Sequence, residues 1–168
     1  EKLLVNPYGA AHIFHPVPAR RADQKFRVLY LGSLILRKGL TYLFEALDLL
    51  DIPPEKLEVW FIGQPGDELK PEIARRRSPD RKFWGQMAQH RLPALLAQCD
   101  VAVQPSLEEG LSMVIPQMLG CGVPVIATTN TGGADIIREG ETGFIVPIRS
   151  PEAIAEKIMF LYRNPGQL

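Results

Sequence analysis

From Phe26 onward the chain alternates between short runs of consecutive apolar residues and longer stretches in which apolar residues recur every three or four positions. Residues 26–31 (FRVLYL) form an apolar run closed by Gly32, and their length and flanks predict a buried strand. Residues 39–50 carry Leu40, Leu43, Phe44, Leu47 and Leu50 at helical spacing, and Pro53-Pro54 stops that helix. The same reading predicts strands over 57–62, 82–84, 100–104, 123–127 and 143–146. It predicts helices over 67–77, 92–98, 113–119, 133–138 and 151–163. Pro93 sits in a first turn, where its missing N–H does no harm, and Pro116 fits only if its helix starts near Met113. Short apolar strands separated by helices imply a parallel sheet covered on both faces. The expected fold is therefore α/β, a Rossmann-like, doubly wound, mainly parallel sheet in the order 3-2-1-4-5-6. Residues 1–25 hold Pro7, Gly9, Pro16 and Pro18 with little periodicity and read as a linker or lead-in to a domain spanning 26–168.

Composition narrows the function classes. At 168 residues the chain is one ordinary domain. Its 19 basic and 19 acidic residues leave no net charge to steer it to nucleic acid or an anionic surface. No run is long and apolar enough to span a bilayer, and no signal peptide is visible, so a cytoplasmic location is expected. The first residue is Glu1, so a longer parent chain is expected. Cys99 and Cys121 lie in apolar surroundings and read as reduced, buried thiols. No Cys/His spacing suits zinc, and no Asp-x-Asp offers a divalent-metal site. His12, His15 and His90 have no acidic or serine partner nearby in sequence, and none is read as catalytic. The run Arg75-Arg76-Arg77 reads as a solvated helix face.

Ligands of open parallel sheets bind beyond the carboxyl ends of the strands. Three loops there could carry chemistry. Residues 32–39 join the first strand to the first helix; Gly32 and Gly39 allow close backbone approach, and Arg37 and Lys38 add positive charge where a helix begins. The segment is neither a G-x-G-x-x-G fingerprint nor a Walker loop, and taken alone it reads equally as a solvated loop. Residues 104–112 place Glu109 beside Gly110 just before a helix. A carboxylate there can fix sugar hydroxyls, and helix-start amides can hold a phosphate; helix capping is the plainer alternative. Residues 128–133 either line the site or only turn the chain into the next helix.

At these residues the chain resembles the C-terminal, donor-binding domain of a group 1 (family 4) glycosyltransferase of GT-B fold. Asn6-Pro7-Tyr8-Gly9 with Phe14-His15-Pro16 resembles that family's interdomain linker. Segment 32–39 resembles G-R-x(4)-K-G, Pro105-Ser106 through Glu109-Gly110 resembles P-S-x-x-E-G, and 122–128 with Gly132-Gly133 resembles G-x-P-V-I-A-T followed by G-G. Residues 140–147 resemble G-x-T-G-F-L-V-P.

The resemblance implies a retaining transfer from a nucleotide diphosphate sugar, with no cofactor and no bound metal. It makes Lys38, pairing with the diphosphate, and Glu109, holding a sugar hydroxyl, the candidate catalytic residues. Gly32, Ser33, Arg37, Gly110, Leu111, Ser112, Met113 and Val114 fall around the phosphates and sugar, Gln86 and Met87 near the base, and Gln117 near the ribose. It implies a separate N-terminal acceptor domain, absent from this chain, so that the fragment alone is expected to be inactive; it leaves peripheral membrane association of the full protein open. Two positions depart from the pattern. Ser33 stands where the family has arginine, and Gln117 stands where it has a second glutamate. Those departures keep two alternatives in view: a non-catalytic nucleotide-sugar or partner-binding module, and a GT-B relative such as an epimerase or phosphorylase.

Overall fold

The computed structural model describes residues 9–18 and 23–167. Six strands form one sheet in the order β3-β2-β1-β4-β5-β6, and every pairing is parallel. They are β1 (Phe26–Leu31), β2 (Leu57–Ile62), β3 (Arg81–Gly85), β4 (Val101–Gln104), β5 (Val125–Thr128) and β6 (Gly143–Val146). The helices are α1 (Leu40–Asp48), α2 (Lys70–Arg75), α3 (Leu92–Leu96), α4 (Val114–Gly120) and α5 (Pro151–Arg163). Architecture and strand order agree with the expectation from the hydrophobic pattern.

Side chains alternate across the strands, so each strand feeds two cores. Val28 and Tyr30 face a layer with Leu43 and Phe44 of α1 and Ile154 and Ile158 of α5. Leu29 and Leu31 face the other layer, with Leu96 of α3, Ile115 and Met118 of α4, and Phe14 from the lead-in segment. The part of the expected linker covering residues 1–8 and 19–22 lies outside the described residues.

Three expectations change. The helix expected over 133–138 is only a 3-10 turn, Gly133–Asp135. The helix expected over 67–77 is a 3-10 turn, Asp67–Leu69, followed by α2. The third strand, at one edge of the sheet, is half exposed, whereas β6 at the other edge is mostly buried. The arginine run is less simply solvated than expected. Arg75 and Arg76 pair with Glu72, Arg76 also with Asp48, and Arg77 lies 6.0 Å from the Phe83 ring centroid. Cys99 and Cys121 are both buried, and burial pushes the Cys121 thiol up from its ordinary value.

Candidate functional site

The carboxyl ends of β1, β2 and β3 converge through glycines. The Gly32 amide donates to the Ile62 carbonyl (2.9 Å) and the Gly63 amide to that of Gly85 (2.9 Å). A Cβ on Gly63 would lie 1.8 Å from the Gly32 carbonyl oxygen, so the backbones close up only because no side chain intervenes. Beyond these ends opens a pocket of about 300 Å³. Leu31, Gly32, Ser33, Ile62, Gly63 and Gln64 line one part; Gln86, Met87, Gln89, Leu92, Val114 and Gln117 line the rest. The lining contains no charged side chain and four primary amides, each able to donate and accept. Ser33 is held from below, where the Tyr30 hydroxyl donates to its carbonyl (2.7 Å). Burial pushes the Tyr30 phenol well up from its ordinary value, so it remains a neutral donor.

Beside the pocket, loops 32–39 and 104–112 are locked together. The turn Leu36–Lys38 ends at Gly39 with φ of 69°, and a Cβ there would lie 1.8 Å from the Pro105 carbonyl oxygen. The Leu107 amide donates to the Arg37 carbonyl (2.9 Å), and the Arg37 guanidinium donates to the Glu108 carbonyl (2.8 Å). Arg37 is thereby turned onto backbone. Lys38 Nζ pairs with Glu109 Oε1; the two side chains are 20% and 8% exposed. Glu109 Oε1 also accepts from the Ser106 hydroxyl (3.3 Å). Burial, and then the neighbouring Arg37 charge, push the Lys38 ammonium below its ordinary value.

The third loop is scaffolding. The Asn130 and Thr131 carbonyls accept from the amides of Glu109 (2.8 Å) and Ser112 (3.0 Å), and the Asn130 side chain donates to the Leu107 carbonyl (3.0 Å). Buried Thr128 donates to the Ser106 carbonyl, and buried Thr131 to that of Thr128. Loop 128–133 therefore fixes the backbone on which Glu109 sits. With Ser112 and Ile115 donating internally, the amides of Leu111, Met113 and Val114 have no internal acceptor among the described residues. Pro116 falls at the third residue of α4, inside the first turn, as its missing N–H requires.

The structure brings the expected residues together in two adjoining groups. Gly32, Ser33, Gln86, Met87, Val114 and Gln117 line the pocket. Lys38 and Glu109 form the ion pair, Arg37 braces the loop, and Gly110, Leu111, Ser112 and Met113 carry the backbone into α4. Sequence reading missed Gln64 and Gln89. Gln64 follows the glycine that ends β2 and could have been found from that position, whereas Gln89 is brought in by the turn before α3 with no local signal. The three histidines share a separate groove between residues 12–18 and α3, with Gln98 at its side. Among the described residues no cluster of His, Cys, Asp and Glu could hold a metal ion, and no helix is long and apolar enough to cross a membrane.

Comparison with known proteins bears on this geometry. Residues 25–164 match the family model described as "Glycosyl transferases group 1". The GDP-mannose-dependent alpha-(1-6)-phosphatidylinositol monomannoside mannosyltransferase of Mycobacterium tuberculosis (strain CDC 1551 / Oshkosh) is 30% identical over 166 residues, which cover 86% of this chain and 42% of that one. The crystal structure of Anabaena Alr3699/HepE in complex with UDP-glucose superimposes with a TM-score of 0.74 at 26% identity, covering 85% of this chain and 40% of that one. The C-terminal domain of a glycosyl transferase group 1 family protein (LpcC) from Francisella tularensis gives 0.81 at 18% identity, covering 95% and 90%, which is a likeness of fold. The chain spans 32% to 42% of the lengths of the curated relatives it matches.

Proposed function

Because the chain belongs to the group 1 glycosyltransferases, we propose that it is the donor-binding half of an enzyme that moves a sugar from a nucleoside diphosphate sugar to an acceptor, with retention at the anomeric carbon and without a bound metal. One observation carries the reading: the carboxyl ends of the strands hold an uncharged, amide-lined pocket and, beside it, a fixed ammonium–carboxylate pair with helix-start amides. A pocket of about 300 Å³ with four amides suits a base and ribose, with Gln86 and Met87 near the base and Gln117 near the ribose.

In this reading the Lys38 ammonium and the amides of Leu111, Met113 and Val114 take the diphosphate, and Glu109 takes sugar hydroxyls. As the bond from the anomeric carbon to the phosphate oxygen breaks, charge grows on that oxygen, and preorganised donors stabilise it there. The acceptor oxygen forms the new bond, and its proton passes to the leaving phosphate oxygen. The acceptor is held by a domain outside this chain. The UDP-glucose in the HepE structure and the GDP-mannose in the relative's name support a nucleotide sugar as donor and leave the base open.

Calorimetry with UDP-, GDP- and ADP-glucose tests the reading. Lys38→Ala should weaken binding of the preferred nucleotide by about 1.5–3 kcal/mol, the loss of a charge-assisted contact. Lys70→Ala, which removes an exposed pair with Asp67, should do little, and chelator should change nothing. Equal affinities for the two variants would rule out this phosphate site. A second reading, a binding module without transfer, is favoured by the uncharged Ser33 and Gln117 in the pocket; sugar transfer by the full-length protein decides against it.

A further inference from the structure

The Lys38–Glu109 pair has a consequence for what the site prefers, and it rests on the donor-binding reading above. We propose that Glu109 makes the site discriminate against free nucleoside diphosphate in favour of nucleoside diphosphate sugar, because its carboxylate holds the ammonium that the diphosphate needs.

Glu109 Oε1 has two side-chain contacts among the described residues, Lys38 and the Ser106 hydroxyl. Its backbone is tied to the Asn130 carbonyl, so the carboxylate cannot retreat far. Arg37, the other cation of the loop, is turned onto the Glu108 carbonyl, and no ion pair joins it to Glu109 among the described residues. A free nucleoside diphosphate arriving at Lys38 has two options. It can draw the ammonium away and leave a largely buried carboxylate with one neutral donor, which is unfavourable. Or it can share the ammonium, which places phosphate and carboxylate charges side by side at low solvent exposure. A nucleotide sugar escapes both, since its hydroxyls supply Glu109 with new donors as Lys38 turns to the phosphates. The residue that welcomes the donor thus penalises the product, which favours release after transfer.

The test is calorimetric titration of the 168-residue chain with UDP and UDP-glucose, and with the GDP and ADP pairs if another base is preferred. Glu109→Gln removes the charge at constant size. It should bind free nucleoside diphosphate about five- to tenfold more tightly and the sugar nucleotide equally or more weakly, so that the preference for the donor falls about tenfold or more. Ser106→Ala removes the carboxylate's other donor and should move the preference the other way, by about two- to threefold. Thermal unfolding of each variant checks that the loop is intact, and Ser106→Ala provides a reading should the first variant not fold. Unchanged or weaker diphosphate binding by Glu109→Gln overturns the inference while leaving the donor site standing. Failure of the wild-type chain to bind any of the six nucleotides overturns the donor reading and this inference together.

Discussion

The carbonyl oxygen of Pro105 occupies the place where Gly39 would carry a side chain. Gly39 has φ of 69°, and a Cβ would stand 1.8 Å from that oxygen. Gly85 has nearly the same backbone, φ of 71°, yet a Cβ there meets nothing within 4 Å. The pair separates backbone strain from collision. Gly85→Ala should cost about 1–2 kcal/mol, the ordinary penalty for a left-handed residue. Gly39→Ala should cost more, about 3 kcal/mol or above, because the loops holding Lys38 and Glu109 must part. Urea denaturation of both variants measures the difference. Equal losses would mean that the loop contact yields without energetic consequence.

Glu58 predicts the acid limit of the fold. Strand register sets Arg27 directly across from Glu58, and the Glu58 carboxylate accepts from Arg27 (2.8 Å) and the Trp60 indole (2.7 Å) and pairs with Lys82 (2.6 Å). Burial pushes this carboxyl up, but the three donors outweigh it and hold it at about 2, below its ordinary 4.5. A carboxyl whose folded value is depressed adds stability that is fully present above its unfolded value and is lost as pH falls through the folded one. Between roughly pH 4.5 and 2 the chain should lose about 1–2 kcal/mol from this group, allowing for partial screening. Glu58→Gln should lose most of that at pH 7 and show a flatter acid limb. An unchanged acid limb in the variant would assign the pH dependence to other carboxylates.

Ser33 is exposed and lines the pocket, with its carbonyl held by Tyr30. Ser33→Arg should add a second cation for the diphosphate and tighten its binding by about 1–2 kcal/mol at low salt, with the gain shrinking as salt rises. A salt-independent effect, or none, would indicate that the new guanidinium points away from the phosphates.

Gln117 lines the same pocket from α4. Gln117→Glu should tighten a ribonucleoside diphosphate by about 1 kcal/mol, roughly fivefold, and less for the 2′-deoxy analogue, which lacks one hydroxyl donor. Titrating both proteins with both nucleotides isolates the contact. A gain of the same size for both sugars would place the carboxylate away from the 2′-hydroxyl.

The strands were legible in the chain because a strand buried on both faces leaves a contiguous apolar run, and β1, β2 and β6 begin and end where the pattern changes. The loop motifs were legible because a tight approach demands glycine and a first-turn position tolerates proline, both of which are visible locally. What tertiary structure decided are the features set by groups far apart in sequence. A helix is expected over residues 133–138, yet Ile136 leaves the helical region with φ of −130° and the Arg138 amide donates to the Thr142 hydroxyl (2.9 Å) instead of back along the segment, so only one 3-10 turn forms. Arg27 and Glu58 stand inside apolar runs, and although Asp23 and Trp60 reach them locally, only parallel register sets the two charges opposite each other. Lys38 and Glu109 were each visible as a charge at a strand-end loop. That they hold each other follows from β1 and β4 being neighbours in the sheet, which brings together two loops that the local pattern treats separately.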